Sequence, residues 1–202
     1  MAGLAPTNAF AGVGLDIAVI DPGLVLGRIH HRAFPEPLGF GKAPSRFSDP
    51  RRRKPENRFG VLYLGSSLKV CFVETILRDH RDGVVGDVPI AETEMTDRLY
   101  SGIAVTNPLR LIDLRGDSPL RMGIPSDVVR GRTQQLARRW SLAIHQHPEG
   151  VDGIIYPSRL NGEENLAIYD RAIAKLAFGA VGPLELEAGI DGILNDLRVA
   201  LV

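Results

Sequence analysis

Residues 24–29 read as a first strand, and short apolar runs at 60–64, 153–156 and 165–170 read as further strands. Residues 98–106 and 109–114 predict two more strands, joined through Asn107-Pro108. A helical period appears twice. After Gly65-Ser66-Ser67, whose serines suit an N-cap, Leu68, Phe72, Thr75 and Ile76 share one face of a helix predicted over 68–79. Val129, Leu136, Trp140, Ala143 and Ile144 form the apolar stripe of a longer helix predicted over 127–147, with Ser126 as its cap. Residues 184–187 read as a weak strand and 190–197 as a short closing helix. Between the first two strands, residues 33–58 carry Pro35, Pro37, Pro44, Pro50 and Pro55 and form a long irregular connection of the kind that usually has a function. Strands and helices without strict βαβ alternation predict a single α+β domain over 21–202, with a mixed or antiparallel central sheet and flanking helices. The Ala- and Gly-rich residues 1–20 are expected to be a loose N-terminal arm.

Composition narrows the class. The 202 residues are 44% hydrophobic and 24% charged, which suits one folded domain. No apolar run approaches the roughly 20 residues of a membrane span. Residues 1–20 lack Lys and Arg, and so lack the basic segment of a signal peptide. The single cysteine, Cys71, excludes an intrachain disulfide framework and fits a reducing, cytoplasmic setting. Net charge is zero, yet residues 28–58 hold nine basic side chains against three acidic ones. That local excess points to an anionic ligand or a solvated, salt-bridged loop rather than a nucleic-acid track. Direct nucleic-acid binding is further disfavoured by an aromatic content of 6%. The run Arg51-Arg52-Arg53-Lys54 reads as solvated surface.

Three stretches carry candidate chemistry. In the first, Tyr63 precedes the Gly65-Ser66-Ser67 turn and Glu74 lies on the following helix. The turn offers backbone N–H groups at a helix start, which suits a phosphate, with Ser66 as a contact. Glu74 beside apolar groups suits catalysis; pairing with Arg78 one turn on is the ordinary alternative. In the second, the buried strand at 153–156 delivers Ser158 and then Asn161 to a loop at its carboxyl end. In the third, Arg28 and Arg46 are suited to bidentate bonds with a pyrophosphate. His30-His31 point to opposite faces of a strand, and His145 and His147 do not face one ion, so no metal site is expected.

In this order these stretches resemble the RES domain family, named for its Arg, Glu and Ser. The resemblance runs over 24–172 and rests on the Arg28 strand, Ser45-Arg46-Phe47-Ser48-Asp49-Pro50, Gly60-Val61-Leu62-Tyr63-Leu64, the Glu74 helix, Gly153-Ile154-Ile155-Tyr156-Pro157-Ser158-Arg159 and Asn165-Leu166-Ala167-Ile168-Tyr169-Asp170. It implies an ADP-ribosyltransferase-like fold, NAD⁺ as substrate, and a toxin paired with an Xre-like helix-turn-helix antitoxin that blocks the active site. It also implies transfer of ADP-ribose to a protein target, or alternatively phosphorolysis or hydrolysis of NAD⁺. Glu74, Tyr63 and Arg46 would then be catalytic, and Arg28, Arg46, Tyr63, Ser66, Ser158 and Asn161 would bind the nucleotide. An RNA-targeting toxin and a non-catalytic binding domain are the competing readings.

Overall fold

In the computed structural model, which describes residues 4–52, 54–80 and 83–202, the apolar runs form one curled sheet. Its strands are β1 (Ile17–Ile20), β2 (Val25–His31), β3 (Val61–Gly65), β5 (Arg98–Val105), β6 (Leu109–Asp113), β7 (Gly153–Pro157), β8 (Glu164–Tyr169) and β9 (Leu176–Pro183). They lie in the order β1-β6-β7-β8-β3-β2-β5-β9, with β6 and β7 parallel and all other neighbours antiparallel. A parallel pair of β4 (Val88–Ile90) and β10 (Val199–Leu201) stands apart. The helices are α1 (Leu68–Thr75), α2 (Thr93–Thr96), α3 (Ser118–Arg121), α4 (Asp127–Arg130), α5 (Gln134–His145) and α6 (Ile190–Asp196). This is the mixed-sheet α+β architecture that the pattern predicts.

Strand alternation sends successive side chains to opposite faces. Val61, Ile154, Tyr156, Ala167 and Tyr169 meet Phe47 and the Trp140–Ile144 face of α5. Leu62, Leu64, Ile155, Leu166 and Ile168 point the other way and meet Leu26, Ile103, Leu109 and Leu111. That second layer is drawn mostly from strands of the same sheet, so the sheet curls to bury its own inner face. A third cluster joins Phe72 and Val73 of α1, and Ile76 just after it, to Val88, Ile90 and Ile190.

Several expectations are corrected. The stretch expected as a loose arm is integrated into the fold over its described part. Phe10 is 5% exposed and sits edge-on to Trp140 at 5.0 Å, and the Trp140 indole N–H donates to the Leu4 carbonyl at 2.8 Å. Ile17–Ile20 supplies the edge strand β1 against β6. Val13 and Leu15 pack on the same core, and the Leu15 N–H donates to Glu149 Oε1 at 2.9 Å. The helix predicted over 127–147 is two helices, because Gly131 takes an extended conformation and a Cβ there would lie 2.4 Å from the Asp127 carbonyl. Ser126 makes no side-chain cap. Residues 184–186 form a 3-10 turn rather than a strand. The helix after Ser67 ends at Thr75 and continues as a 3-10 turn over Leu77–Asp79. Within the run 51–54, Arg53 lies outside the described residues. Among the described residues no helix is long and apolar enough to cross a membrane.

Candidate functional site

The site begins with two glycines. β2 and β3 pair only through Gly27 and Gly65. A Cβ at Gly65 would come within 2.6 Å of the Cys71 sulfur and of a Val70 methyl, and one at Gly27 within 2.6 Å of the Tyr100 hydroxyl. The bare backbone therefore lets α1 settle directly on the sheet. Beyond that pair the strands diverge. Gly41 fills the gap at the far end by exchanging both backbone bonds with Val61, at 3.2 and 3.0 Å.

The wedge between the strands is a cleft of about 340 Å³, at the small end of ligand pockets. Arg28, Ile29, Val61 and Tyr63 line its strand walls, Ala43-Pro44-Ser45 one rim, and Glu74, Thr75 and Asn165 the remainder. The connection over 33–58 thus supplies one wall of the cleft through Gly41 and Ala43-Pro44-Ser45. The Tyr63 hydroxyl accepts the Phe47 N–H and bonds Ser45 Oγ, both at 2.9 Å. Ser48 Oγ accepts the Ser45 N–H, and the buried Asp49 carboxylate accepts from Arg51 and from the Phe59 N–H. Arg51 and these N–H groups hold the Asp49 pKa below the usual carboxylate range, against the opposing effect of burial.

Glu74 is half-buried at the last turn of α1. Ser158 Oγ donates to its Oε1 at 2.7 Å and Asn165 Nδ2 donates to the same oxygen at 3.3 Å. Oε2 has no protein partner among the described residues. Ser158 and Asn165 are each 5% exposed and come from adjacent strands that pair Tyr156 with Asn165. The ordinary i+4 pairing of Glu74 is not formed: Arg78 follows the helix break and lies 3.7 Å from Asp79.

Arg28 lines the same cleft, and Arg46 lies within electrostatic reach of this carboxylate. Arg28 gives one Nη to the Pro37 carbonyl, and Arg46 gives one Nη to the Gly131 carbonyl at 3.0 Å. Their other guanidinium N–H groups are unspent on described residues. Burial lowers the pKa of both. Tyr156 and Glu74 offset this at Arg46, while Arg159 and Arg78 add to it, which puts Arg78 and Arg159 within electrostatic reach of the site. Tyr156 is raised well above its ordinary pKa by burial, with Tyr63 and Glu74 reinforcing.

The structure thus brings Arg28, Arg46, Tyr63, Glu74 and Ser158 together. Ser66 and Asn161 fall elsewhere. Ser66 is exposed, and its backbone N–H bonds the Glu164 carbonyl at 3.0 Å. Ser67 is the N-cap, accepting the Val70 N–H at 3.1 Å and bonding Glu163 Oε2. A carboxylate already stands at the amino end of α1, so that end is not the free phosphate cradle the turn suggested. Asn161 is exposed and exchanges bonds with Glu163 at 3.0 and 3.1 Å. Its expected place is taken by Asn165, whose sequence signal is a lone amide opening an otherwise apolar buried strand. His30 is buried, with Nε2 2.8 Å from Ser101 Oγ and Nδ1 2.9 Å from the Phe34 carbonyl, so it is spent on structure. Cys71 is buried and its thiol is pushed up to about 12 by burial.

The model of the RES domain matches residues 25–187, which include every wall of this cleft. The chain belongs to the RES domain family. It is 40% identical over 127 residues to the "Probable toxin y4kH" of Sinorhizobium fredii, covering 62% of this chain and all of that protein. A chain of the crystal structure of the M. tuberculosis MbcT-MbcA toxin-antitoxin complex matches with a TM-score of 0.59 at 18% identity, over 89% of this chain and 91% of that one. At that identity the likeness speaks for the fold. The docked segment before residue 25, with Phe10 and β1, lies outside the stretch that matches the RES domain.

Proposed function

We propose that this chain is the toxin of a toxin–antitoxin pair and cleaves NAD⁺ at the nicotinamide–ribose bond, passing ADP-ribose to a protein side chain. The observation that carries this reading is Glu74, held through Oε1 by Ser158 and Asn165 with Oε2 unspent, in a cleft lined by Arg28 and within electrostatic reach of Arg46. NAD⁺ offers a partner to each group. Its pyrophosphate suits the unspent guanidinium N–H groups of Arg28 and Arg46. Its nicotinamide cation suits the Tyr63 ring. Its ribose carbon becomes cationic as the bond breaks, and a fixed carboxylate stabilises that charge. The C–N bonding pair leaves with nicotinamide, the acceptor's lone pair forms the new bond, and the acceptor's proton passes to Glu74 or to water. Two relatives support the toxin reading by name, and one of them was solved with an antitoxin. The partner we assign is an Xre-like helix-turn-helix antitoxin covering this cleft.

A second reading keeps the cleavage and makes inorganic phosphate the acceptor. The gathering of Arg46, Arg78 and Arg159 near Glu74 favours it, since a free anion suits such a setting. The test is nicotinamide release from NAD⁺ by protein freed of antitoxin. Glu74→Gln, which keeps the shape and removes the charge, is expected to lose at least about a hundredfold in turnover. Unchanged turnover would overturn the role of Glu74. Labelled NAD⁺ separates the acceptors: label on protein marks transfer, and a phosphate-dependent small product marks phosphorolysis.

A further inference from the structure

Outside the cleft, on the side of the loop facing α5, a second cavity of about 450 Å³ is lined by Pro44, Asp49, Pro50, Gln135 and the arginines 51, 52, 58, 138 and 139. Asp49 is its single acid, and it is committed to Arg51. The guanidinium groups of Arg52, Arg58, Arg138 and Arg139 have no hydrogen-bond or ion-pair partner among the described residues. The Arg58 Nε is fully buried and unsatisfied, a costly state for a charged donor. The amino end of α5, which supplies Gln135 to the wall, is closed by Thr133 without a side-chain cap. Four uncompensated guanidinium groups in one concavity repel one another, and an anion in their midst relieves that repulsion.

We propose that this cavity is an anion site for a small molecule carrying two or more adjacent phosphate groups. Guanidinium forks match phosphate oxygens bidentately, and linked phosphates gather several charges in a compact volume. Acidic side chains of a peptide are spread along its backbone and fill such a cavity poorly. The sequence pattern reads residues 51–54 as a solvated run. The fold instead folds part of that run against the arginines of α5. Pro44 lines both this cavity and the cleft, so an occupant rests against the wall that carries Ser45 and Arg46. The proposal does not depend on NAD⁺ cleavage.

The probe is inorganic triphosphate, titrated calorimetrically into the purified full chain, with sulfate and inorganic phosphate at matched ionic strength. Saturable one-site binding tighter than sulfate is expected, weakened roughly tenfold by Arg58→Gln and by Arg138→Gln. Arg28→Gln is expected to leave it unchanged. Should Arg58→Gln fail to fold, Arg138→Gln, on the surface of α5, carries the test. Binding no tighter than sulfate, equal binding by all variants, or loss in Arg28→Gln alone would overturn the site. Tighter binding of a poly-glutamate peptide or of an RNA oligonucleotide through the same arginines would also overturn it, in favour of a macromolecular partner. Nicotinamide release by Arg138→Gln reads out the cleft separately, so the two proposals fail independently.

Discussion

Ser158→Ala separates two roles for one hydroxyl. The family resemblance makes Ser158 a contact of the nucleotide; the structure spends it on Glu74 Oε1 at 2.7 Å while it also accepts the Leu160 N–H at 3.1 Å. A hydrogen bond to a charged group contributes about 1.5–3 kcal/mol. If that energy serves to hold the carboxylate in place, turnover falls roughly ten- to hundredfold. Asn165 still donates to the same oxygen, at a longer 3.3 Å, so the lower part of that range is expected. The assay is nicotinamide release for wild type, Ser158→Ala, Glu74→Gln and the double variant. Glutamine at 74 keeps an acceptor oxygen for Ser158 but no charge to orient. A serine acting through Glu74 therefore loses most of its effect in the Glu74→Gln background, a coupling of at least about 1 kcal/mol. Additive losses, or a loss in Ser158→Ala confined to KM, would refute the positioning role and restore a direct contact with the nucleotide.

Gly65→Ala forces a methyl to 2.6 Å from Cys71 and Val70 and is expected to cost about 1–3 kcal/mol in denaturant unfolding, whereas Gly41→Ala, with open space, is expected to change little. Tyr63→Phe leaves the Phe47 N–H without its partner, so a stability loss of about 1–3 kcal/mol and a raised KM for NAD⁺ are expected; an unchanged melting temperature would contradict the anchoring role. His145 stacks on Phe59 at 4.2 Å, and burial, reinforced by Arg171, lowers its pKa to about 4. The unfolded chain takes up this proton below the ordinary 6.5 while the native state refuses it until about 4, so stability falls as pH drops through that window, by roughly 3 kcal/mol at most. His145→Phe is expected to flatten that part of the pH–stability curve, and an unaltered slope would assign the acid sensitivity to other groups.

The fold was legible where periodicity is strong. The strands around Tyr63, Ile154 and Leu166 and the face of α5 follow from alternation and from a three-to-four residue spacing. The two edge strands were not legible: β1 is four residues long, and β9, rich in Gly and Ala, has mostly exposed side chains, so neither shows burial as a pattern. The break at Gly131 was invisible because the apolar stripe continues in phase across it. At the site, residue type was informative and location less so. The juxtaposition of Glu74 and Tyr63 was legible because a strand, a turn and a helix fix their relation locally. Ser66 and Asn161 lie outside the cleft lining, and the sequence could not show that Ser67 caps the turn and meets Glu163, a contact between residues 96 apart. Asn165, Arg78 and Arg159 are brought to the site only by tertiary geometry.

That geometry has a common origin. The missing side chains at Gly27 and Gly65 let α1 lie on the sheet at the point where β2 and β3 part company. A helix seated there ends over the open wedge, and Glu74 is in its last turn. Ser158 reaches it from just beyond β7 and Asn165 from β8, the strand that borders β3 in the sheet. A half-buried carboxylate among several arginines would ordinarily be consumed by a salt bridge. Here it is held by two neutral donors, while Arg28 and Arg46 are tethered to backbone carbonyls. Positive and negative groups are thereby kept side by side without neutralising one another. A zwitterionic substrate bearing a pyrophosphate and a cationic leaving group suits such an arrangement, which is the ground on which NAD⁺ is proposed here over an RNA strand, which offers anionic groups alone.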